Sequence, residues 1–237
     1  GIPRNRQVSI FCFYKPGFCI LSKRRCTVVS YDETQLRDDA VIKLYQIGAI
    51  KFGNYVLSQE QETPVFVDMR LIISSPEILQ TMATLIWRLR QEFNSSLLCG
   101  VPYTALTLAT SISLQYNIAM VLRRKELKNP NFSDTIKVEG RFTPGQTCVI
   151  ISDVISSGNS ILETATALKE QGLIVREAFV FLDRLVGGKE FLKDQGIKVS
   201  SVFTLFSLVK TLIESGELSE SDAAYAEKIV ESLEEVS

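Results

Sequence analysis

The sequence predicts an α/β protein built on a largely parallel sheet. Short apolar runs alternate along the chain with longer segments whose apolar residues have helical spacing. One of these runs, residues 148–151, is followed directly by a polar turn and a helical segment. Because parallel strands are joined by helical crossovers, this alternation is typical of a parallel sheet flanked by helices. The chain has 237 residues, 46% of them hydrophobic, which is enough for one substantial core.

The first half of the domain begins with a helix whose apolar residues recur on one face and which Gly48 can end. A second helix starts at Pro76, with Ser75 as its N-cap, because proline fits the first helical position. The predicted elements are, in order, a helix from residue 32, strands at 49–57 and 65–69, a helix from 76 to about 93, a strand at 97–100, a helix at 104–114 and a strand at 118–122.

Residues 125–137 interrupt this alternation with a polar, turn-rich segment. An irregular segment of this length inside a compact domain is usually functional. The predicted elements after it are a strand at 138–142, a turn at 144–145, a strand at 148–151, a helix at 161–168, strands at 173–182 and 199–205, and surface helices at 210–216 and 219–233.

The turn between strand 148–151 and the next helix has the composition of a phosphate site. Backbone N–H groups of a small-residue turn, together with the dipole of the following helix, favour an anion there. Asp153 precedes the turn, at the edge where open parallel sheets bind ligands, so its carboxylate can accept hydrogen bonds from ribose hydroxyls. The alternative is an ordinary strand–helix connection. The turn residues are Ser156, Ser157, Gly158, Asn159 and Ser160.

Composition excludes several classes of function. The chain has no histidine, which removes Ser-His triads and imidazole metal sites. With 26 basic and 27 acidic residues, a broadly nucleic-acid-binding surface is not indicated. No apolar run reaches the roughly 18 residues needed to span a bilayer. Five cysteines, an odd number, indicate a reduced, cytoplasmic protein.

Residues 1–31 differ from the rest and are predicted to be a basic extension preceding a single domain at 32–237. They carry six lysine and arginine residues and no acid before Asp32. We interpret them as a terminal extension outside the folded domain. An organelle-targeting presequence is the alternative, since such presequences are basic and poor in acids.

Several separated segments in the same order together resemble orotate phosphoribosyltransferases of the type I phosphoribosyltransferase family. The nearest likeness is to the N-terminal domain of animal-type uridine monophosphate synthase. The resemblance covers residues 36–235 and implies a mostly parallel twisted sheet flanked by helices, a small N-terminal hood and a mobile catalytic loop. The matching segments are residues 50–53, 63–70, 99–106, 122–126, the phosphate turn, 182–184 and 187–189.

The resemblance implies transfer of a phosphoribosyl group from phosphoribosyl diphosphate (PRPP) to orotate, giving orotidine 5′-monophosphate and pyrophosphate in UMP biosynthesis. It implies Mg²⁺ carried by PRPP near Asp153, without direct ligation by side chains. It also implies a homodimer in which loop 125–137 reaches the neighbouring site, and a fused or separate orotidylate decarboxylase as a partner. No nucleic-acid or membrane partner is expected.

The resemblance assigns roles by position. Asp153 and Lys128 are the implied catalytic residues, one binding the ribose and the other covering the leaving pyrophosphate. Arg184 pairs with the orotate carboxylate, the alternative being a surface ion pair with Asp183. The implied substrate-binding residues are Phe66 against the base, Tyr103 and Thr104 near the pyrophosphate, Arg124 and Lys125 across the dimer, Asp153 at the ribose, Arg184, and Ser156, Ser157, Gly158, Asn159 and Ser160 around the 5′-phosphate. Core packing is the alternative for Phe66 and Tyr103, and a solvated loop charge for Lys128.

The sequence departs from the family pattern at positions where a charge is expected. Ser58 stands where the family has a lysine, and Ser152 where it has the first of two adjacent acids. Pro130 and Phe132 lie in the predicted mobile loop and would stiffen it. These differences predict reduced turnover. They leave open a catalytically weakened paralogue that binds PRPP or nucleotide, or partners an active subunit. A transferase for another base is a third reading, against which Arg184 argues.

Overall fold

A six-stranded sheet and a separate two-stranded sheet organise the part of the chain that the structure describes. The structure is a computed structural model and describes residues 32–56, 62–90, 95–125 and 137–234. The elements in chain order are α1 (Glu33–Gln46), β1 (Ile50–Val56), β2 (Glu62–Val67), a 3-10 helix (Met69–Ser74), α2 (Pro76–Arg88), β3 (Leu97–Gly100), α3 (Thr104–Tyr116), β4 (Ala119–Arg123), β5 (Val138–Glu139), β6 (Cys148–Ile155), α4 (Asn159–Glu170), β7 (Glu177–Asp183), α5 (Gly188–Asp194), β8 (Lys198–Thr204), α6 (Leu205–Ser215) and α7 (Glu220–Glu234).

The main sheet has the strand order β5-β4-β3-β6-β7-β8, and every pairing is parallel except that of β5 with β4. Strands β3 and β6 are neighbours in the sheet, although β4 and β5 lie between them in the chain. From β3 the chain adds strands toward one edge, and from β6 it adds them toward the other. Ligands of open parallel sheets bind at such switch points, outside the carboxyl ends of the strands. The predicted α/β class with a mostly parallel sheet is confirmed.

Two apolar clusters cover the two faces of this sheet. Successive strand residues point to opposite faces, so Leu98 and Ile151 belong to one cluster, while Cys99 and Ile150 belong to the other. Helices α1, α2, α6 and α7 bury apolar residues in the first cluster, and α4 and α5 do so in the second. The buried strands therefore hold the carboxyl edge of the sheet rigidly, since protein interiors are close-packed.

The small sheet pairs β1 and β2 antiparallel, with Ile50 opposite Val67 and a register shift between Phe52 and Tyr55. It packs against α7 and α1 through buried residues that include Ile50 and Val65. This is the hood that the family resemblance implies. The 3-10 helix that follows it was not predicted from the sequence.

Several predicted boundaries are wrong, and one α-helix was missed. Helix α5 has only seven residues, too few to show a helical period, and it went unpredicted. Strand β5 has two residues instead of five, and β7 begins at Glu177 instead of 173. Helix α6 begins at Leu205 and buries four apolar side chains, so it is not a purely surface helix. Ser75 stands at the N-cap of α2 as predicted, but within the described structure its side chain makes no capping hydrogen bond.

Three predictions lie outside the described residues: the basic extension, Ser58, and the loop with Lys128, Pro130 and Phe132. Among the described helices, none is both long and apolar enough to cross a bilayer.

Candidate functional site

The register of the main sheet brings the ends of four strands together at one edge. Gly100, the last residue of β3, pairs with Leu122 of β4 on one side and with Ile151 of β6 on the other. On the far side of β6, Ile155 pairs with Asp183, the last residue of β7. The segments that follow these strands therefore lie in a row in the order β4, β3, β6, β7, and each carries predicted site residues.

The phosphate turn continues directly from β6 into α4. Gly158 is the N-cap of α4 and has a φ of 82°, a left-handed conformation that glycine adopts without steric cost. Among the described residues, no side chain caps this helix. Its first backbone hydrogen bond runs from the Leu162 N–H to the Gly158 carbonyl oxygen at 3.0 Å. The side chains of Ser157, Asn159 and Ser160 are exposed. A helix N-terminus without a side-chain cap leaves backbone N–H groups that can bind an anion, which is the role that the sequence predicts for this turn.

Asp153 lies two residues before the end of β6 and is only partly exposed. Burial raises the pKa of its carboxyl group, and hydrogen bonds from the backbone N–H groups of Val154 and Asp153 offset part of this effect. An ionised carboxylate in such a place is incompletely solvated. It therefore gains from new hydrogen-bond donors, and ribose hydroxyls are donors of the right kind.

The neighbouring Ser152 does not share this environment. It is 2% exposed, and its hydroxyl donates to the carbonyl oxygen of Val154 at 3.2 Å. The serine that replaces the family's first acid therefore lies in the interior, where an ionised carboxylate would be costly to desolvate.

Arg184 follows β7, and its backbone N–H donates to the Ile155 carbonyl oxygen at 3.1 Å. This bond places the residue beside the start of the phosphate turn. Within the described part of the chain, its buried Nε has no hydrogen-bond partner, and burial lowers the pKa of the guanidinium group. Asp183 is buried, and its carboxylate accepts a hydrogen bond from the Leu185 N–H at 2.9 Å. A half-buried cation with an unused donor suits a planar carboxylate ligand.

The segment after β3 turns sharply into α3. A Cβ on Gly100 would lie 2.5 Å from the Ala105 carbonyl oxygen, so only glycine fits where the helix crosses the strand end. Tyr103 is 59% exposed, and the Nζ of Lys125 lies 5.4 Å from the centre of its ring. Thr104, the first residue of α3, is buried. Tyr103 and Lys125 thus form one cation–π pair at the edge, whereas Thr104 is turned inward.

The end of β4 is held by ion pairs that sequence reasoning missed. Arg123 donates to the Thr164 hydroxyl and to the Glu163 carboxylate, both at 3.1 Å, and so ties β4 to α4. Arg124 pairs through Nε with Glu139 at 3.3 Å. A groove of about 380 Å³ lies alongside, lined in part by Arg124 and Lys125. The cluster of basic residues at 123–125 was the signal that could have indicated these contacts.

Two further predicted residues, Phe66 and Lys128, do not belong to the described segments that follow the strands at this edge. Phe66 lies in β2 of the hood, partly exposed, with its ring centre 5.3 Å from that of Tyr55. Lys128 lies outside the described residues. Within residues 32–56, 62–90, 95–125 and 137–234, no group of three or more His, Cys, Asp or Glu side chains could hold a metal ion.

The chain is similar to known phosphoribosyltransferases over most of its length. The model of the phosphoribosyl transferase domain family matches residues 72–203. Orotate phosphoribosyltransferase of Chlamydia caviae is 65% identical over 204 residues, which cover 86% of this chain and 99% of the relative. Uridine 5′-monophosphate synthase of Bos taurus is 44% identical over 171 residues, 71% of this chain and 35% of the relative. The crystal structure of orotate phosphoribosyltransferase from Aeropyrum pernix has a TM-score of 0.65 and 28% identity, covering 73% of this chain and 97% of that one.

Proposed function

The chain belongs to the orotate phosphoribosyltransferase family, and from this membership we propose that it transfers the phosphoribosyl group of PRPP to N1 of orotate. The products are orotidine 5′-monophosphate and pyrophosphate, which places the enzyme, a glycosyltransferase, in UMP biosynthesis. The observation that carries the proposal is the row of site residues at one sheet edge. There the register of β6 with β7 sets the phosphate turn and Asp153 beside Arg184.

The two substrates occupy neighbouring parts of this edge. The N-terminus of α4 and the turn at residues 156–160 hold the 5′-phosphate through backbone N–H groups and exposed hydroxyls. Asp153 accepts hydrogen bonds from the ribose hydroxyls. Arg184 presents its guanidinium to the orotate carboxylate as a planar fork, which fixes the orientation of the ring. Phe66 of the hood covers the base.

In the reaction, the C1′–O bond to pyrophosphate breaks and the N1–C1′ bond forms. Deprotonated N1 of orotate supplies the new electron pair, and pyrophosphate leaves with the pair of the broken bond. Positive charge builds on the ribose and negative charge on the leaving group, so fixed charges at both ends lower the barrier. Asp153 lies at the ribose end. Tyr103, Lys125 and Lys128 serve the pyrophosphate end.

Mg²⁺ fits this arrangement as a companion of PRPP. It is a hard cation that binds oxygens and keeps several waters, and at this edge Asp153 is the carboxylate that can approach it. When bound, the ion neutralises charge on the pyrophosphate. The described residues hold no group of three or more His, Cys, Asp or Glu side chains suited to a metal ion. In this proposal the ion enters with PRPP.

We further propose a homodimer acting in the cytoplasm, with loop 125–137 completing the neighbouring site. Exposed apolar side chains on the 3-10 helix and on α3 support an interface, because burial of apolar surface drives protein association. Leu71 and Ile73 of the 3-10 helix are 40% and 50% exposed, and Leu114 of α3 is 77% exposed. The partner we expect is an orotidylate decarboxylase, fused or separate, which would consume the orotidine 5′-monophosphate that this reaction forms.

The weakened-paralogue alternative rests on Ser58 and Ser152. Ser152 is buried and hydrogen-bonded to the main chain, so its presence removes no charge from the ligand edge. This observation favours an active enzyme.

Orotate consumption measured by absorbance, with PRPP and Mg²⁺ and the full chain, tests the proposal. Loss of orotate with release of one pyrophosphate per orotidylate is the expected result. PRPP binding by calorimetry without any loss of orotate would favour the paralogue. Turnover of a purine base but not orotate would overturn the substrate assignment.

A further inference from the structure

Gly188, the first residue of α5, packs against the phosphate turn with no room for a side chain. It is buried, and a Cβ built on it would overlap the carbonyl oxygen of Ser156. The same Cβ would lie 2.9 Å from the Ser156 carbonyl carbon and 2.9 Å from the Gly158 nitrogen. All three opposing atoms are main-chain atoms, so no side-chain rotation can relieve the overlap. The fit of the turn against α5 therefore requires glycine at 188.

The contact is reciprocal. A Cβ on Gly158 would lie 2.9 Å from the carbonyl oxygen of Gly188, 3.0 Å from Leu192 Cγ and 3.2 Å from Phe191 Cδ1. The segments that follow β6 and β7 thus meet backbone to backbone. Distances this short are found where only glycine permits close approach.

This contact joins the elements assigned to the two substrates. Gly188 lies four residues after Arg184. The N–H of Arg184 is bonded to Ile155, immediately before the phosphate turn. The two segments are therefore fixed to each other at two points, the Arg184–Ile155 bond and the Gly188–Ser156 contact. Any displacement at the second point changes the distance between the turn and the guanidinium.

We propose that Gly188 is a positioning residue that sets the phosphate turn against Arg184, so that PRPP and orotate are held at reacting distance. This inference rests on the proposed function. Gly188 itself touches no substrate and acts through the main chain of Ser156 and Gly158. A misplacement of about 1 Å between reacting groups costs on the order of a hundredfold in rate, so a small shift is enough to be measured.

The substitution Gly188→Ala tests this directly, because Gly188 is not among the residues with positive φ and alanine pays no backbone strain there. The matched control is Gly196→Ala, just beyond the other end of α5. Gly196 has a φ of 73° and open space around its Cβ, so alanine there is strained but cannot reach the turn. PRPP affinity by calorimetry, kcat and KM for both substrates, and the unfolding temperature are measured for both variants.

We expect Gly188→Ala to weaken PRPP binding at least tenfold and to lower kcat/KM about a hundredfold. Gly196→Ala should keep both within about threefold, although its strained backbone lowers the unfolding temperature. If the loss of activity in each variant is proportional to its loss of unfolding temperature, Gly188 has only a structural role. Unchanged PRPP affinity and kcat in folded Gly188→Ala would overturn the inference.

A second variant covers the case in which Gly188→Ala does not fold. Phe191→Ala removes an exposed ring that borders Gly158 and loosens the contact without any overlap. It should raise the PRPP KM several-fold, and an unchanged KM would count against the inference. A wild-type chain that binds PRPP but consumes no orotate would contradict the proposed reaction but not the role of Gly188. The PRPP affinity of the variants would still test that role. A wild-type chain that binds no PRPP would overturn both.

Discussion

Replacement of Asp153 by asparagine should have opposite effects on ligand binding and on stability. Asparagine keeps the size of the side chain and an acceptor oxygen but removes the charge. A hydrogen bond that a ribose hydroxyl donates to an ionised carboxylate stabilises the complex by about 1.5–3 kcal/mol. The same bond to a neutral oxygen stabilises it by about 0.5–1.5 kcal/mol. If Asp153 accepts from two ribose hydroxyls, the variant loses about 2–3 kcal/mol of binding free energy. This corresponds to a PRPP affinity roughly 30- to 140-fold weaker.

The stability of the free protein should rise in the same variant. Because burial raises the pKa of Asp153, the neutral form is favoured in the folded state. The contribution of Asp153 to the free energy of unfolding is therefore greatest below the ordinary aspartate pKa. It is lost as the pH rises through the raised pKa of the folded state. At neutral pH, Asp153→Asn removes a carboxylate that is incompletely solvated, and the unfolding temperature should increase.

Calorimetric titration with PRPP and Mg²⁺ between pH 5 and 8, together with thermal unfolding, measures both effects. The affinity gap between wild type and Asp153→Asn should narrow as the pH falls toward the raised pKa. Asp194→Asn, at an exposed site on α5, is the control and should change neither quantity. Equal PRPP affinity in Asp153→Asn and wild type, or a lower unfolding temperature in the variant, would refute the reasoning.

Three further outcomes are expected. Arg184→Gln should raise the orotate KM roughly 10- to 100-fold and leave PRPP affinity within about twofold. The reason is that a charged hydrogen-bond donor is lost at the orotate end only. Equal losses for both substrates would contradict this assignment. Ser152→Glu should lower the free energy of unfolding in urea by about 3 kcal/mol, because the side chain is 2% exposed; an unchanged midpoint would mean that the glutamate reaches solvent. Burial raises the pKa of Cys99 to about 11 and that of Cys148 further, so neither thiol should react with Ellman's reagent at pH 8 before unfolding; the test uses a variant whose cysteines within residues 1–31 are serine, and rapid reaction of the folded protein would contradict the burial.

Local sequence determines the parts of the site that are contiguous in the chain. The apolar run of β6, the small-residue turn and the helix that follows it are encoded within residues 148–170, so the phosphate turn and Asp153 could be placed from sequence. The alternation of strands and helices was sufficient for the α/β class. Strand β3 was predicted at its observed bounds because it is a short buried run ending in glycine.

The tertiary structure alone decided which segments are neighbours and which side chains are buried at the site. Pairing of Ile155 with Asp183 brings Arg184 to the phosphate turn, and the close contact of Gly188 with Ser156 fixes their spacing. Burial of Ser152, adjacent to Asp153 in sequence, was equally hidden, because it depends on which elements pack over that part of β6. The physical reason is that periodicity reports only which face of an element is apolar. Strand order, register and backbone-to-backbone contacts depend on how distant elements pack together, and no local pattern records that.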